Sequence, residues 1–325
     1  MSFSALLCCD NFLNNKANLR FALNPLGLKM NAKTFVVDQA DDPILFRALN
    51  QRPKVAWPTI IIFIAAFAIF GFSTLAHLEG KLSLFWTILI NAIACYLSFT
   101  VVHDATHGSV TSHRKINDWL GRISTALLSP IPFFRTFRYI HLQHHSFTND
   151  ETKDPDLYVG RGPRWLLPFK WVTLDLNYFY FYLSPNRFKE RPKSERRELL
   201  VATLFGGLVF TAVTVAGWLH YYLFLFLIPT RFANLFLAVT FDFLPHYPHQ
   251  AKAKDQPFQC TSNRVGMEWL LTPVLLSQNY HLVHHLYPGV PFYRILRVWK
   301  AKSNYHQSQN PATVDTFALK PRAQA

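Results

Sequence analysis

The chain has 325 residues, of which half are hydrophobic, 16% are aromatic and only 16% are charged. This apolar fraction excludes an intrinsically disordered protein, and four cysteines in so long a chain exclude a disulfide scaffold. Lys and Arg outnumber Asp and Glu by 33 to 19, which gives a formal net charge of +14 at pH 7, and the chain also has 14 histidines.

The chain begins with residues 1–56, which we expect to form a cytoplasmic arm. No secretory signal is predicted there, because the apolar stretch at residues 3–9 is short and no basic region precedes it. Met30 opens a more ordinary start, so we interpret residues 1–29 as a dispensable extension.

Four apolar segments, the first three without a charged residue, predict membrane-spanning helices. Residues 57–77, 82–102 and 199–219 each approach the ~20 residues needed to cross a ~30 Å hydrocarbon core. Residues 220–246 form the fourth, which would be ~40 Å long as one helix, so Pro229 is expected to kink it or to begin a helix there. The predicted fold class is therefore all-α, an integral membrane protein with four transmembrane helices in two hairpins and a cytoplasmic helical cap.

The basic residues predict how the spans are oriented. Residues 1–56, 103–198 and 247–325 contain all but two of the 33 Lys and Arg residues, the exceptions being Lys81 and Arg231. The positive-inside rule then places both termini and the long loop in the cytoplasm. The same charge favours contact with anionic membrane lipids or an acidic electron donor. Beside membrane spans it does not indicate nucleic-acid binding.

Two features near the spans have specific expectations. Residues 165–184 are aromatic but interrupted by charges, which predicts an interfacial segment lying on the bilayer. Arg231 is interpreted as a side chain that snorkels to the outer interface. The alternative is that it pairs with a buried polar group or a substrate carboxylate.

Ten of the 14 histidines fall into four clusters. One HxxxH box covers residues 103–107, HxxHH boxes cover 141–145 and 281–285, and His246 and His249 follow the fourth span. Positions i, i+3 and i+4 share a helix face, and neutral imidazole is the commonest metal ligand at pH 7. Eight or nine imidazoles exceed what one ion can use, so two ions are expected. Because no cluster contains Cys, redox iron is favoured over structural zinc.

The combination of boxes resembles the membrane fatty-acid desaturase superfamily, and the adjoining residues are similar to its bacterial desaturase and β-carotene hydroxylase branch. The matching stretches are HDATHG at 103–108, HLQHHSFTNDETKDPD at 141–156, FDFLPHYPH at 241–249 and NYHLVHHLYPGVPFYR at 279–294. The resemblance covers roughly residues 57–300, the expected membrane domain, and leaves residues 301–325 as a C-terminal tail.

The resemblance implies a di-iron centre that uses O₂. The implied ligands are the eight box histidines, His103, His107, His141, His144, His145, His281, His284 and His285. A ninth ligand is implied at the end of the fourth span, where His246 fits and His249 competes. Carboxylates are also expected to orient the metal-bound rings. The candidates are Asp104, Asp154, Asp156 and Asp242, with His249 in the same supporting role; ordinary solvated or helix-capping acids are the alternative for the carboxylates.

The implied chemistry is O₂ activation followed by abstraction of hydrogen from a long apolar lipid. Fatty-acyl desaturation is the leading interpretation. Carotenoid ring hydroxylation and decarboxylation to a terminal alkene are alternatives, because these outcomes differ by small shifts in substrate placement. No electron-transfer motif accompanies the boxes, so a separate ferredoxin- or cytochrome-like donor is expected. A membrane metal transporter is a remote alternative, since its ligands would lie near the middle of the spans.

Overall fold

The computed structural model describes residues 41–322, and the predicted dispensable segment 1–29 lies outside them. The first nine described helices are α1 (Pro43–Asn50), α2 (Trp57–Leu78), α3 (Leu84–Thr106), α4 (Arg114–Thr125), α5 (Phe134–Phe147), α6 (Leu167–Val172), α7 (Leu174–Leu183), α8 (Pro185–Glu190) and α9 (Lys193–Val215). They are followed by α10 (Leu219–His246), α11 (Glu268–Val274), α12 (His281–Leu286), α13 (Ile295–Ala301) and α14 (Ser303–Ser308). Strands β1 (Asn263–Val265) and β2 (Thr313–Asp315) form a parallel pair.

Helices α2, α3, α9 and α10 are long and apolar enough to cross a membrane. They have 22, 23, 23 and 28 residues, and their most apolar windows have mean hydropathies between 1.8 and 2.3. Large apolar side chains on them face outward, such as Phe72 on α2 and Leu208 on α9, which are 73% and 68% exposed. A helix that is apolar all round and yet exposed is typical of a lipid-facing span. The prediction of four candidate spans in a mostly helical chain is therefore confirmed.

The third of these helices, α9, begins and ends earlier than predicted. Its first turns contain charged residues, which a search for an uncharged apolar segment does not include. The Glu195 carboxylate in these turns accepts hydrogen bonds from the Tyr182 hydroxyl at 2.8 Å and from Arg191 at 2.9 Å. At the other end, Gly217 has φ of +75°, a left-handed conformation that favours glycine and terminates a helix.

The fourth long helix, α10, runs for 28 residues without a break at Pro229. Pro229 lies at the start of the α-helical stretch Ile228–Leu237, directly after a π-helical turn at Tyr222–Leu227. A proline fits this position because its missing N–H and its ring are tolerated in a first helical turn. At 1.5 Å per residue, α10 is about 42 Å long, roughly 12 Å longer than a hydrocarbon core. A helix of this length crosses the hydrocarbon core either tilted or with one end outside the core.

Polar contacts fix the long helices to one another. Ser73 on α2 hydrogen-bonds the Asn91 carboxamide on α3, and Asn91 also donates to the Leu225 carbonyl on α10 at 2.7 Å. Nearer the other end of the pair, Thr59 on α2 donates to the Asp104 carboxylate on α3 at 2.8 Å. Interhelical hydrogen bonds of this kind fix the relative position of apolar helices in a membrane.

The predicted interfacial segment folds as a 3₁₀ turn at Arg164–Leu166 followed by α6 and α7. Its contact with α10 corrects the interpretation of Arg231. The Arg231 guanidinium donates to both carboxylate oxygens of Asp175 at 2.8 and 2.7 Å and to the Val172 carbonyl at 3.1 Å. Snorkelling to the outer interface was therefore wrong, because the first turn of α7 brings a carboxylate within reach of the guanidinium.

Two apolar cores position the histidine boxes. The larger joins α3, α5, α7 and α10, with Phe137 and Phe241 among its buried residues. The smaller lies under α12 and joins it to α1 and α13 through Leu282 and Val298. Residues beyond 300, set apart as a tail in the sequence analysis, continue this second unit: β2 pairs with β1, and α14 begins where the Asp41 carboxylate accepts from the Tyr305 N–H at 3.0 Å.

Candidate metal centre

A first group of four histidines comes from three helices. His103 lies in the last turn of α3 and His107 one turn later, and His141 comes from α5 and His284 from α12. Their candidate ligand atoms all lie within 4.8 Å of one another, and all four residues are buried. The Nε2 atoms of His103 and His284 are 3.0 Å apart, and those of His107 and His141 are 2.9 Å apart.

A second group of four lies beside the first. His144 comes from α5, His246 ends α10, and His281 and His285 share one face of α12. Their candidate ligand atoms also lie within 4.8 Å of one another. The Nε2 atoms of His281 and His285 are 3.2 Å apart. The HxxHH spacing thus divides one box between two groups, since neighbouring positions on a helix point in different directions.

The ninth histidine, His145, lies between the two groups. Its Nε2 atom is 2.8 Å from that of His284 and 3.2 Å from that of His141, both in the first group. Its ring stacks on His285 of the second group with centroids 4.2 Å apart. The first group with His145 therefore offers five imidazoles, and the second offers four.

The spacing of these nitrogens fits ligands around a cation. A ring nitrogen carries either one proton or one lone pair, so two close Nε2 neighbours at His284 are not explained by hydrogen bonds between pairs of rings. Two imidazoles bound at adjacent positions about 2.1 Å from one metal ion lie about 3 Å apart. The observed separations agree with that value. The Nε2 atom of His246 is also buried without a hydrogen-bond partner, as expected of an atom directed at a metal.

Every ring of the second group is held from outside through its Nδ1 atom. The contacts are His144 to Asp154 Oδ1 (2.9 Å), His281 to Gln278 Oε1 (3.0 Å), His246 to the Cys260 carbonyl (3.3 Å) and His285 to Thr148 Oγ1 (3.4 Å). In a neutral ring, an oxygen that accepts from Nδ1 leaves the lone pair on Nε2, so these contacts direct the Nε2 atom of each ring inward.

Asp154 is fixed by the loop that follows α5. Its Oδ2 accepts from the Asn149 N–H at 2.6 Å, and its Oδ1 accepts from the Asp156 N–H at 2.9 Å as well as from His144. Asn149 has φ of +63°, a left-handed conformation that turns the chain sharply, and its side chain donates to the Ala251 and Cys260 carbonyls. Cys260 in turn faces His246, so this loop connects two ligand supports.

The other predicted supports occupy different places. Asp156 Oδ2 lies 3.3 Å from His144 Nδ1, and Asp242 lines the cavity beside the same histidine. Asp104 instead accepts from Thr59 and from the Phe292 N–H at 3.3 Å, and its nearest oxygen is 3.9 Å from His103 Nδ1. It therefore connects helices rather than holding the His103 ring.

His249, the competitor for the ninth ligand position, lies outside both groups of four. Its ring centroid is 6.4 Å from that of His246 and 5.7 Å from that of Phe243, against which it packs. Burial lowers its pKa to about 4, so the ring is neutral at pH 7. The break after His246 separates the two candidates, because α10 ends there and the chain leaves the helix face.

The protonation states of the histidine rings at pH 7 also suit a bound cation. Burial, with repulsion from neighbouring rings, lowers the pKa of several of them well below its usual range, so that they are neutral ligands at pH 7: His107, His141, His145, His281, His284 and His285. Burial would lower the pKa of His144 too, but Asp156 and Asp154 outweigh it and raise that pKa to about 9. Burial likewise raises the pKa of Asp156 to about 6. A carboxyl group with this pKa is still mostly ionised at pH 7, so the negative charge of Asp156 beside His144 favours a bound cation in the second group.

An apolar cavity ends at the two histidine groups. The space inside it that is open to the centres of water-sized spheres is about 60 Å³. His141 of the first group and His144 and His281 of the second lie in its wall. Most of the remaining wall is aromatic or aliphatic, including Phe99, Leu128, Phe133, Phe137, Leu237 and Phe241.

Sequence reasoning missed three supports. Gln278 stands three residues before His281 on the approach to α12, and Thr148 stands one turn after His144, so polar residues one turn from a box were an available signal. The Cys260 carbonyl could not be predicted in this way, because every residue has a main-chain oxygen. Only the folded structure brings this one next to His246.

Comparison with known proteins identifies the family. A family model described as fatty acid desaturase matches residues 80–313, more than half of the chain. The chain belongs to the fatty acid desaturase family. The resemblance found from the histidine boxes is therefore confirmed, and with it an oxidoreductase of a membrane-bound family.

Curated relatives of this fatty acid desaturase family member are similar at low identity. Dihydrorhizobitoxine desaturase of Bradyrhizobium elkanii is 27% identical over 228 residues, 62% of this chain and 63% of the relative. The sn-1 acyl-lipid omega-3 desaturase (ferredoxin) of Synechocystis sp. is 25% identical over 282 residues, 77% of this chain and 76% of the relative. Beta-carotene ketolase of Paracoccus sp. is 27% identical over 203 residues, 62% and 73% of the two chains. The chain thus spans less than two thirds of the first relative and about three quarters of the other two.

Proposed function

We propose that the protein is an O₂-dependent di-iron membrane oxidoreductase that desaturates the acyl chain of a long apolar lipid. The observation that carries the proposal is the meeting of two histidine groups at the wall of an apolar cavity. Such a site brings an unactivated C–H bond to a metal centre while the cavity wall keeps water away. The desaturases among the relatives support this reaction over the alternatives.

We propose that the nine histidines hold two irons. One would be bound by His103, His107, His141, His145 and His284, and the other by His144, His246, His281 and His285. Bound iron would supply O₂ activation and abstraction of hydrogen from carbon. Nitrogen-only donor sets without Cys suit iron better than a structural zinc. Asp154 and Asp156 would keep the His144 ring in its binding orientation.

The aromatic wall determines which carbon reaches the metal centre. Phe241 on α10 faces both groups, with ring centroids 6.3 Å from those of His103 and His281. Phe99 packs edge-on against Phe241 at 5.2 Å and against Phe137 at 5.7 Å, so the three rings support one another. A rigid wall of this kind holds an apolar chain in one register, and small shifts of register change the product.

Carotenoid ring oxidation remains the second candidate function. The similarity to the beta-carotene ketolase of Paracoccus sp. favours it, because that relative covers 62% of this chain. Decarboxylation to a terminal alkene and metal transport have no relative named above in their favour. An external electron donor is part of the proposal, and the word ferredoxin in the name of the Synechocystis relative supports a small iron–sulfur protein in that role.

The topology of the chain in the membrane is also part of the proposal. We propose that α2 with α3 and α9 with α10 form two membrane hairpins, and that both histidine groups lie in a cytoplasmic cap. The distribution of Lys and Arg supports this orientation. The extra length of α10 supports it too, since His246 ends the helix and would stand beyond the hydrocarbon core.

Metal and product analysis test the proposed function together. The purified protein should contain about two irons per chain, and a host that expresses it should gain unsaturated acyl chains. His144→Ala should abolish the product and lower the iron content. His113→Ala is the matched control, because His113 is exposed and precedes α4 away from both groups. A single zinc per chain, no metal, or unchanged acyl chains beside newly oxidised carotenoids would contradict the desaturase proposal.

A further inference from the structure

The cavity wall also has a polar part outside the histidine groups, which we call the polar end. Asn234 and Asp175 line the cavity together with His141, His144 and His281. The Nδ2 atom of Asn234 is buried and has no hydrogen-bond partner among residues 41–322. A buried amide donor without a partner is destabilising, so a free donor in the wall of a binding cavity points to a partner on the ligand.

The charge beside Asn234 is already balanced. Asp175 is held by both terminal nitrogens of Arg231 at 2.8 and 2.7 Å, a bidentate pair. Arg231 and Asn234 are three residues apart on α10 and share one face. A ligand carboxylate at this end would meet the negative charge of Asp175, while the compensating Arg231 is already engaged. The site therefore favours an uncharged hydrogen-bond acceptor.

The polar end is separated from Phe241 along α10. Phe241, which faces both histidine groups, is seven residues beyond Asn234 on α10, a separation of about 10 Å along the helix. Leu237 lies between them in the same wall. A ligand whose polar group binds Asn234 therefore presents a carbon about 10 Å away to the histidines.

We propose that Asn234 is a specificity-determining residue that donates a hydrogen bond to an uncharged carbonyl oxygen of the lipid and so sets which carbon reacts. This inference rests on the proposed function for the reaction, but the binding step does not require turnover. Asn234 is a contact residue, and the Asp175–Arg231 pair positions it by joining α7 to α10. The expected ligands carry an esterified acyl group rather than a free acid or a pure hydrocarbon.

Equilibrium binding tests the hydrogen bond directly. Methyl palmitate, hexadecane and palmitate are titrated into the full-length protein in lipid nanodiscs, without reductant so that no turnover occurs. We expect the wild type to prefer methyl palmitate over hexadecane by about 2- to 12-fold, the value of one neutral hydrogen bond, and not to prefer palmitate over the ester. Partitioning into the disc is the same for each protein, so ratios between variant and wild type report on the site.

Two variants decide the outcome. Asn234→Leu should remove the preference for the ester, whereas Leu237→Ile, a change of shape in the same wall without a polar group, should keep it. Thermal unfolding of each variant shows that it is folded. An unchanged ester preference in Asn234→Leu, no such preference in the wild type, or tighter binding of palmitate would each overturn the inference.

Turnover separates this inference from the proposed function. In the iron-loaded protein with an electron donor, Asn234→Leu should spread the position of the new double bond over neighbouring carbons and raise KM more than it lowers kcat. A single unchanged position would contradict the role of Asn234. Failure of the wild type to desaturate any lipid would contradict the proposed function, while the binding comparison would still decide the role of Asn234.

Discussion

Asp154 shows how much of the candidate metal centre depends on residues that would not touch the metal. Its carboxylate accepts three hydrogen bonds, one from the His144 ring and two from main-chain N–H groups of its own loop. The ring is therefore held against a carboxylate that the loop itself immobilises. Carboxylates behind metal-bound histidines raise the basicity of the ligand and fix its tautomer.

Asp154→Asn tests this support. The amide keeps the size of the side chain but loses the charge, so we expect the affinity of the second histidine group for iron to fall about 10- to 100-fold. Iron content after dialysis against a graded chelator measures the loss. Asp150→Asn is the control, because Asp150 lies in the same loop, is partly exposed and accepts hydrogen bonds from Thr152 and Lys153 instead of a histidine. Equal iron loss in both variants would contradict the assigned role.

At the residue scale, the sequence predicts the histidines better than their supports. Spacing within each box determines which rings share a helix face, so the positions of His103, His107, His281 and His285 follow from helix geometry; their binding of iron stays a prediction. Contacts made across the fold do not follow from spacing. Asp104 is next to a box histidine in sequence, yet its carboxylate bonds Thr59 on another helix.

At the scale of elements, close approach between α9 and the loop before α5 depends on one glycine. A Cβ atom added at Gly206 would lie 2.5 Å from the Pro130 carbonyl oxygen, a main-chain atom that has little room to move. At Gly207, the next residue on α9, an added Cβ would meet nothing within 4 Å. Small residues allow such approaches between membrane helices and their neighbours.

Gly206→Ala should therefore destabilise the protein, whereas Gly207→Ala should not. Overpacking of this kind costs about 1–3 kcal/mol. Alanine at an unobstructed helical position is neutral or stabilising by about 0.5–1 kcal/mol. Thermal unfolding in the same detergent should give a lower Tm for Gly206→Ala and an equal or higher Tm for Gly207→Ala. A fall of the same size in both variants would show that helix propensity, and not the contact with Pro130, governs this position.

The elements themselves were predicted with uneven success for a physical reason. Apolar segments reveal spans, so α2 and α3 lie close to their predicted positions. A hydropathy pattern does not show that charged residues are paired in the fold. The predicted span therefore did not include the polar first turn of α9, where Glu195 bonds Tyr182 and Arg191. The same limit affected Arg231, whose partner Asp175 lies 56 residues away in sequence and becomes a neighbour only when α7 packs on α10.

At the scale of the whole molecule, charge and helix length together favour one orientation. All but two of the basic residues lie in the three segments that flank the predicted spans and contain the histidine boxes, and Lys81 is the exception in the turn between α2 and α3. α10 is about 42 Å long and places His246 at its final residue, so a hydrocarbon core that begins near Leu219 would leave the histidine groups outside the core on the opposite side. In that orientation, a cytoplasmic electron donor would reach the candidate metal centre without crossing the bilayer.

Cysteine labelling tests this orientation. Lys81→Cys and Glu151→Cys place single thiols at exposed positions in the predicted outer turn and in the predicted cytoplasmic loop. The background replaces Cys8 and Cys9 with Ser and keeps Cys95 and Cys260, which are buried. A membrane-impermeant maleimide added to intact spheroplasts should label Lys81→Cys only, and Glu151→Cys should react after the membrane is permeabilised. The reverse pattern would place the histidine groups on the outer side and would remove the access that a cytoplasmic electron donor requires.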